Sequence, residues 1–298
     1  MFLRSLNDLE IKNKEKYKFI INGGPKLKQA IFKLFNVVWT TEKKPEQWRK
    51  TKIVQIYKGK GSIHEFQNQR NIHTKGEIPK LFGHIILNEI KATLLENMSI
   101  YQIGTKSGHR AQEHLFALKS IVSLHLSKDQ PIIIQLYDVA KFFDCESLRD
   151  GLDALYNCGI TGNLYRLIYL LNKDTKITVK TCLGESKEAD TGENIGQGTV
   201  EGAVISAASI DYTIAKFFDD SEAEISYGNL NLRPLIFQDD IARLSTSVND
   251  AQVGNIKLSS CMESKLLDFN VDSVGSWYSE AKSLKEKLKV NSFNLHLH

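Results

Sequence analysis

Gln135-Leu136-Tyr137-Asp138-Val139-Ala140-Lys141-Phe142-Phe143-Asp144 and Leu235-Ile236-Phe237-Gln238-Asp239-Asp240-Ile241 are the two stretches on which the fold turns. In each, an apolar run of strand length ends in acid. The first, from Pro131 to Tyr137, is nearly continuous in its apolar residues and predicts a central buried strand. The second predicts a strand from Leu232 to Phe237, a tight Asp-Asp turn, and a return strand from Ile241 to Leu244. Carboxylates that close apolar strands call for a cation. Hard divalent ions such as Mg²⁺ prefer carboxylate oxygen, and two of them about 3.5 to 4 Å apart clamp the attacking and leaving oxygens of a phosphoryl transfer.

Around these two stretches the pattern is mixed. Residues 26 to 39, 78 to 95 and 114 to 125 carry apolar side chains at helical spacing, the first with Pro25 near its start. Lys52 to Tyr57 alternates as a strand and breaks at Lys58-Gly59-Lys60-Gly61. Helices are predicted at Leu148 to Tyr156, Leu164 to Leu171, Thr199 to Phe218 and Asn249 to Leu267, and a strand at Lys176 to Cys182 that returns as a hairpin past Gly184. Strands that are largely antiparallel, interleaved with helices, indicate an α+β fold. Phe217-Phe218-Asp219-Asp220 repeats the aromatic-Asp-Asp pattern, but it closes a helix rather than a strand and reads as a solvated cap.

Bulk properties narrow the class. The chain has 298 residues, 42% hydrophobic and 25% charged, which suits one large or two modest globular domains. No run approaches 18 apolar residues and the first 20 positions lack a signal-peptide core, so the sequence predicts an intracellular protein of nucleus or cytoplasm, neither secreted nor membrane-bound. Cys145, Cys158, Cys182 and Cys261 show no C-x-x-C spacing, which argues against a zinc site or disulfide framework. The net charge of +4 hides an asymmetry: residues 11 to 60 hold fourteen Lys or Arg against three Glu, whereas residues 61 to 298 sum to −6. That division suits a basic lobe gripping a phosphate backbone beside a lobe of metal-binding acids.

Taken in order, Ile56-Tyr57-Lys58-Gly59-Lys60-Gly61, Asn68-Gln69-Arg70-Asn71-Ile72, the Asp138 stretch, Asn194-Ile195-Gly196-Gln197-Gly198 and the Asp239-Asp240 turn resemble the reverse transcriptase domain of non-LTR (LINE-type) retrotransposons, over roughly residues 30 to 270. The resemblance implies a right-hand polymerase with fingers and an antiparallel palm sheet packed on helices. It divides the chain into a basic N-terminal helical extension at 1–50, fingers at 51–130, palm at 131–275 and an irregular tail at 276–298, with no room left for a thumb. It further implies RNA-directed DNA polymerase activity, with an RNA template, a DNA primer and dNTPs as partners and two Mg²⁺ ions as cofactor. Asp138, Asp239 and Asp240 become the catalytic metal ligands. Arg70 matches the fingers arginine that grips the triphosphate, Lys58 and Lys60 add charge in the same loop, and Gln197 and Gly198 line the nucleotide and template pocket. Phe143 takes the place of an aromatic residue that blocks a ribose 2′-hydroxyl. Gln102, Gly104 and Gly108 resemble a turn between two fingers helices that touches the template.

Three positions depart from the family pattern. Gln238 replaces the usual Ala before Asp-Asp, Gly202 replaces a Ser four residues after Gly198, and Asn270-Val271-Asp272-Ser273 lacks a lysine in register to protonate pyrophosphate. These departures sustain an alternative, a catalytically inactive retroelement-derived fragment that only binds nucleic acid. A polymerase acting on ribonucleotides is a third reading, and Phe143 argues against it.

Overall fold

The structure, a computed structural model, describes residues 17–106, 108–137, 142–181, 184–190, 195–217, 225–227, 230–254 and 275–277. Besides short helical segments at Lys18–Asn22, Glu46–Arg49, Phe66–Asn68 and Phe142–Cys145, its elements in order are α1 (Gly24–Thr41), β1 (Lys50–Tyr57), β2 (Gln69–Thr74), α2 (Glu77–Asn97), α3 (Ala111–Ser127), β3 (Ile133–Tyr137), α4 (Leu148–Asn157), α5 (Gly162–Asn172), β4 (Lys176–Thr181), β5 (Gly184–Glu185), β6 (Ala189–Asp190), α6 (Gly202–Phe217), β7 (Ile225–Tyr227), β8 (Leu230–Leu232), β9 (Leu235–Phe237), β10 (Asp240–Ser245), α7 (248–254) and β11 (Gly275–Trp277). No helix among the described residues is long and apolar enough to cross a membrane. The chain divides into two units, one of Met1–Met98 with Phe143–Ser209, the other of Ser99–Phe142 with Ile210–His298.

The first unit is organised by a sheet in the order β2-β1-β4-β5, with β6 also on β4. β1 and β2 are antiparallel, with Ile56 opposite Arg70 and Lys52 opposite Thr74. The pairing of β1 with β4 is parallel, Lys52 facing Thr178, which departs from the antiparallel expectation. Parallel neighbours need a long crossover, and here the chain runs from residue 58 to residue 175 between the two strands. An aromatic cluster anchors the helices: Phe82 of α2 is fully buried, with Phe35 of α1 at 5.1 Å and Trp48 at 5.4 Å between ring centroids. Burying each such ring contributes roughly 1.5–3 kcal/mol. Pro25 opens α1, and Glu42, in a left-handed conformation, closes it by donating its N–H to the Val38 carbonyl at 2.9 Å.

The second unit holds a four-stranded sheet in the order β11-β3-β10-β9, with β3 and β10 at its centre. Alternation sorts its two faces. Ile134 opposite Leu244, and Leu235 opposite Ala242, turn to one side, where Leu235 and Leu244 join Val122 of α3, Ile132 and Ile225 in a buried cluster. On the other side Arg243 stands opposite Gln135. Its buried guanidinium donates to Gln135 Oε1 at 2.6 Å and to the Asp250 carbonyl of α7 at 2.9 Å, while Gln135 Nε2 donates to the Ala251 carbonyl at 3.1 Å. Leu136 is 48% exposed, so β3 is central to the sheet without being buried on both faces.

Two predicted elements change. The run from Leu232 to Phe237 is not one strand: it breaks at Arg233-Pro234, where proline has no N–H to give a ladder, leaving β8 paired with β7 in its own ribbon and β9 in the main sheet. The helix predicted from Thr199 starts at Gly202, because the Thr199 hydroxyl accepts the Gly202 N–H at 3.1 Å and donates to the Gly196 carbonyl at 2.9 Å. A Cβ at position 202 would lie 2.6 Å from that hydroxyl, which accounts for glycine where the family pattern has serine. Asp219, Asp220 and residues 255 to 267 lie outside the described residues.

Candidate active site

The acidic turn is built by the β9–β10 hairpin. Phe237 pairs with Asp240, so Gln238 and Asp239 alone make the connection. Two-residue hairpins need a residue at positive φ to match the twist of their strands, a place glycine usually takes. Here Gln238 takes it at φ 59°, at a cost of roughly 1–2 kcal/mol for a residue with a Cβ. Backbone strain of this kind persists where the surroundings over-determine it, and it gathers at functional sites. Asp239 is half-buried and Asp240 exposed.

On the other side of β10, Ile241 pairs with Tyr137, the last residue of β3. The chain therefore leaves β3 beside the hairpin that carries both acids. Asp138, the next residue, lies outside the described residues. Burial pushes the Tyr137 hydroxyl above its ordinary pKa, with the Arg243 guanidinium acting against that rise. Among the described residues no group of three or more His, Cys, Asp or Glu is placed to hold a metal ion. The two acids of the turn are oxygen donors of the hard type that Mg²⁺ takes, so the donor chemistry fits such an ion.

One neighbour of this turn has a different position from the one its sequence suggests. Gln102, expected at a template contact, is completely buried. Its Oε1 accepts the Gln238 N–H at 3.0 Å and its Nε2 donates to the Gln238 carbonyl at 3.0 Å, so its amide faces the acidic turn rather than a template. The longer side chain of Gln238 lies over Gly104, where a Cβ would come within 2.6 Å of Gln238 Cγ.

The residues predicted to bind the nucleotide belong to the first unit. Arg70 is exposed near the start of β2. Lys58 and Lys60, also exposed, sit in the loop that joins β1 to β2. That loop is held by the Lys58 N–H to the Asn68 carbonyl at 2.9 Å and the Tyr57 hydroxyl to the Gly61 carbonyl at 2.6 Å. Gln197 and Gly198 are brought to the same strand: the Gln197 carbonyl accepts the His73 N–H at 2.7 Å, and Gly198, at φ 90°, rests on Ile72. The five residues thus share one hairpin and the turn that docks on it. Phe143 is half-buried in a short helix, Phe142–Cys145.

Beneath that turn lies a buried ion pair the sequence does not reveal. Lys75 and Glu201 are 8% and 3% exposed and bonded to one another, and Lys75 also donates to the Leu171 carbonyl at 3.1 Å. The pair ties the chain just before α6 to the end of β2. Either residue alone reads as a surface charge, and only their shared burial marks them.

Comparison with known proteins bears on the fold. The fold is that of a reverse-transcriptase-like polymerase, with palm and fingers. It matches apo telomerase from Candida tropicalis, truncated from its C-terminal domain, with a TM-score of 0.58 and 13% identity over 84% of this chain and 56% of that one. It likewise matches telomerase from Candida albicans in complex with the TWJ fragment of telomeric RNA, with a TM-score of 0.57 and 12% identity over 85% of this chain and 46% of that one. The chain spans about half the length of these telomerases. No family model and no curated protein matches it.

Proposed function

We propose that this chain is the fingers and palm of an RNA-directed DNA polymerase of LINE-like type, which extends a DNA primer on an RNA template. The observation that carries the reading is the register that sets Tyr137, the residue before Asp138, opposite Ile241, the residue after Asp240. Tyr137 thereby ends β3 beside the start of β10. Asp138, Asp239 and Asp240 would hold two Mg²⁺ ions. The ions would activate the primer 3′-hydroxyl and hold the triphosphate while pyrophosphate leaves, so the protein needs no nucleophile of its own.

The remaining residues bind and orient. Arg70 offers a planar fork of donors to phosphate oxygens, with Lys58 and Lys60 adding charge on the same hairpin. Gln197 and Gly198 supply a wall of the nucleotide pocket, and Phe143 excludes a 2′-hydroxyl. The telomerase likeness supports RNA as partner, since one of those structures is a complex with telomeric RNA.

Incorporation of labelled dTTP on poly(rA) with an oligo(dT) primer tests this. Asp239→Asn or Asp138→Asn removes a ligand from the metal pair and is expected to cost several kcal/mol of transition-state stabilisation, on the order of a thousandfold in rate. Normal extension by either variant would refute the metal assignment. Binding of the template-primer by the unaltered chain without incorporation, in Mg²⁺ and all four dNTPs, would instead identify an inactive nucleic-acid-binding relative.

A further inference from the structure

We propose that Gln102 is a positioning residue for the acidic turn: its amide clamps the backbone of Gln238 and thereby sets where the Asp239 carboxylate stands. The inference rests on the reading of that turn as the metal site.

In a two-residue hairpin the strand partners pair with each other, and the backbone groups of the first turn residue have no ladder partner. Here both are taken by one side chain. Gln102 Oε1 accepts the Gln238 N–H at 3.0 Å while Gln102 Nε2 donates to the Gln238 carbonyl at 3.0 Å. The same Oε1 also accepts the Gly104 N–H at 3.1 Å. A primary amide is the neutral side chain that offers an acceptor and a donor side by side, as a peptide group does. Glutamate would keep the acceptor and lose the donor, and leucine would keep only the volume. With Gln102 wholly buried, its amide has no water to replace these bonds once they are lost.

The clamp has a rigid mount. The Ile103 N–H donates to the Ile236 carbonyl at 3.1 Å, and the Ile236 N–H to the Tyr101 carbonyl at 2.9 Å, so residues 101 to 103 run along β9. Gly104 lets the loop close on the turn, since a Cβ there would stand 2.3 Å from the Gln238 nitrogen. At the far end, the Ser99 N–H donates to Asp211 Oδ2 of α6 at 2.8 Å, and Lys106 Nζ donates to the Ser99 carbonyl at 2.7 Å. Hydrogen bonds thus run from α6 through the 99–106 loop to the residue before Asp239.

The test compares Gln102→Leu, Gln102→Glu and the double variant Gln102→Leu with Gln238→Gly. Glycine adopts the left-handed turn without a clamp, so the double variant separates positioning from mere stability. Gln102→Leu is expected to lower kcat of primer extension about ten- to a hundredfold, as for a reacting group displaced by about an ångström, to leave KM for dTTP nearly unchanged, and to raise the Mg²⁺ concentration needed for half-maximal rate. Gln102→Glu, which loses the donor, is expected to fall between Gln102→Leu and the unaltered chain. The double variant should recover most of the activity. Hydrogen exchange supplies a readout that needs no activity: the Gln238 and Gly104 amides should exchange faster in Gln102→Leu while those of β3 and β10 keep their protection. Unchanged exchange at both amides, or a double variant no better than Gln102→Leu, would overturn the clamp. A chain that fails to extend any primer would defeat the polymerase reading and leave the exchange experiment to decide the clamp alone.

Discussion

Asp211 lies on α6 with 4% of its surface exposed, and burial raises its pKa above the ordinary 3.8 against the opposing Ser99 N–H and Lys106 charge. A carboxyl whose folded pKa exceeds its unfolded one gives a stability contribution that is complete below the unfolded value and lost as pH rises through the folded value. Above its folded pKa this carboxyl is a desolvated charge, and that is the form that costs stability. Asp211→Asn keeps an acceptor for Ser99 without that charge, so urea unfolding should show it more stable than the unaltered protein at pH 7, with a flatter profile between acid and neutral pH. Equal stability at pH 7 with the same profile would remove Asp211 as the source. Residues of this kind were not legible in sequence. Asp239 and Asp240 stood out because an apolar strand ended in them, whereas Gln102 and Asp211 acquire meaning only from what they face.

Elements were legible wherever one residue's surroundings repeat along the chain. The helical spacing of residues 26 to 39 and 78 to 95 finds α1 and α2 within two residues at each end, because an apolar stripe has to be buried whatever covers it. Pairing is another matter. Nothing local says that β4 joins β1 in parallel, or that Pro234 hands β8 to a separate ribbon. The Lys75–Glu201 pair is a long-range contact of the same kind, and it makes a prediction about the turn it supports. Glu201→Gln leaves a buried ammonium without its counter-charge and should destabilise the protein by about 3–5 kcal/mol. Replacing both, as Lys75→Met with Glu201→Leu, should cost far less, and a double-mutant cycle in denaturant measures the difference. Additive effects would mean that the two side chains do not act as a pair.

At the scale of the whole molecule, charge is divided unevenly, and residues 11 to 60 carry a net +11 in a chain of +4. Part of that excess, Lys58 and Lys60, stands on the exposed loop that joins β1 to β2, and Arg70, opposite Ile56 on β2, adds a third cation beside them. If these three side chains meet phosphates, replacing all three by alanine should lower the slope of log K against log salt for single-stranded RNA by about two, at about 0.7 for each phosphate no longer neutralised. An unchanged slope would place the phosphate-binding surface elsewhere. The segment at residues 101 to 103 has a bearing beyond the residue it holds. By lying along β9, the outermost strand of its sheet, it occupies hydrogen-bonding groups that would otherwise be open to a strand from another molecule. The same few residues that steady the acidic turn thus cover this edge of the sheet against pairing with another chain.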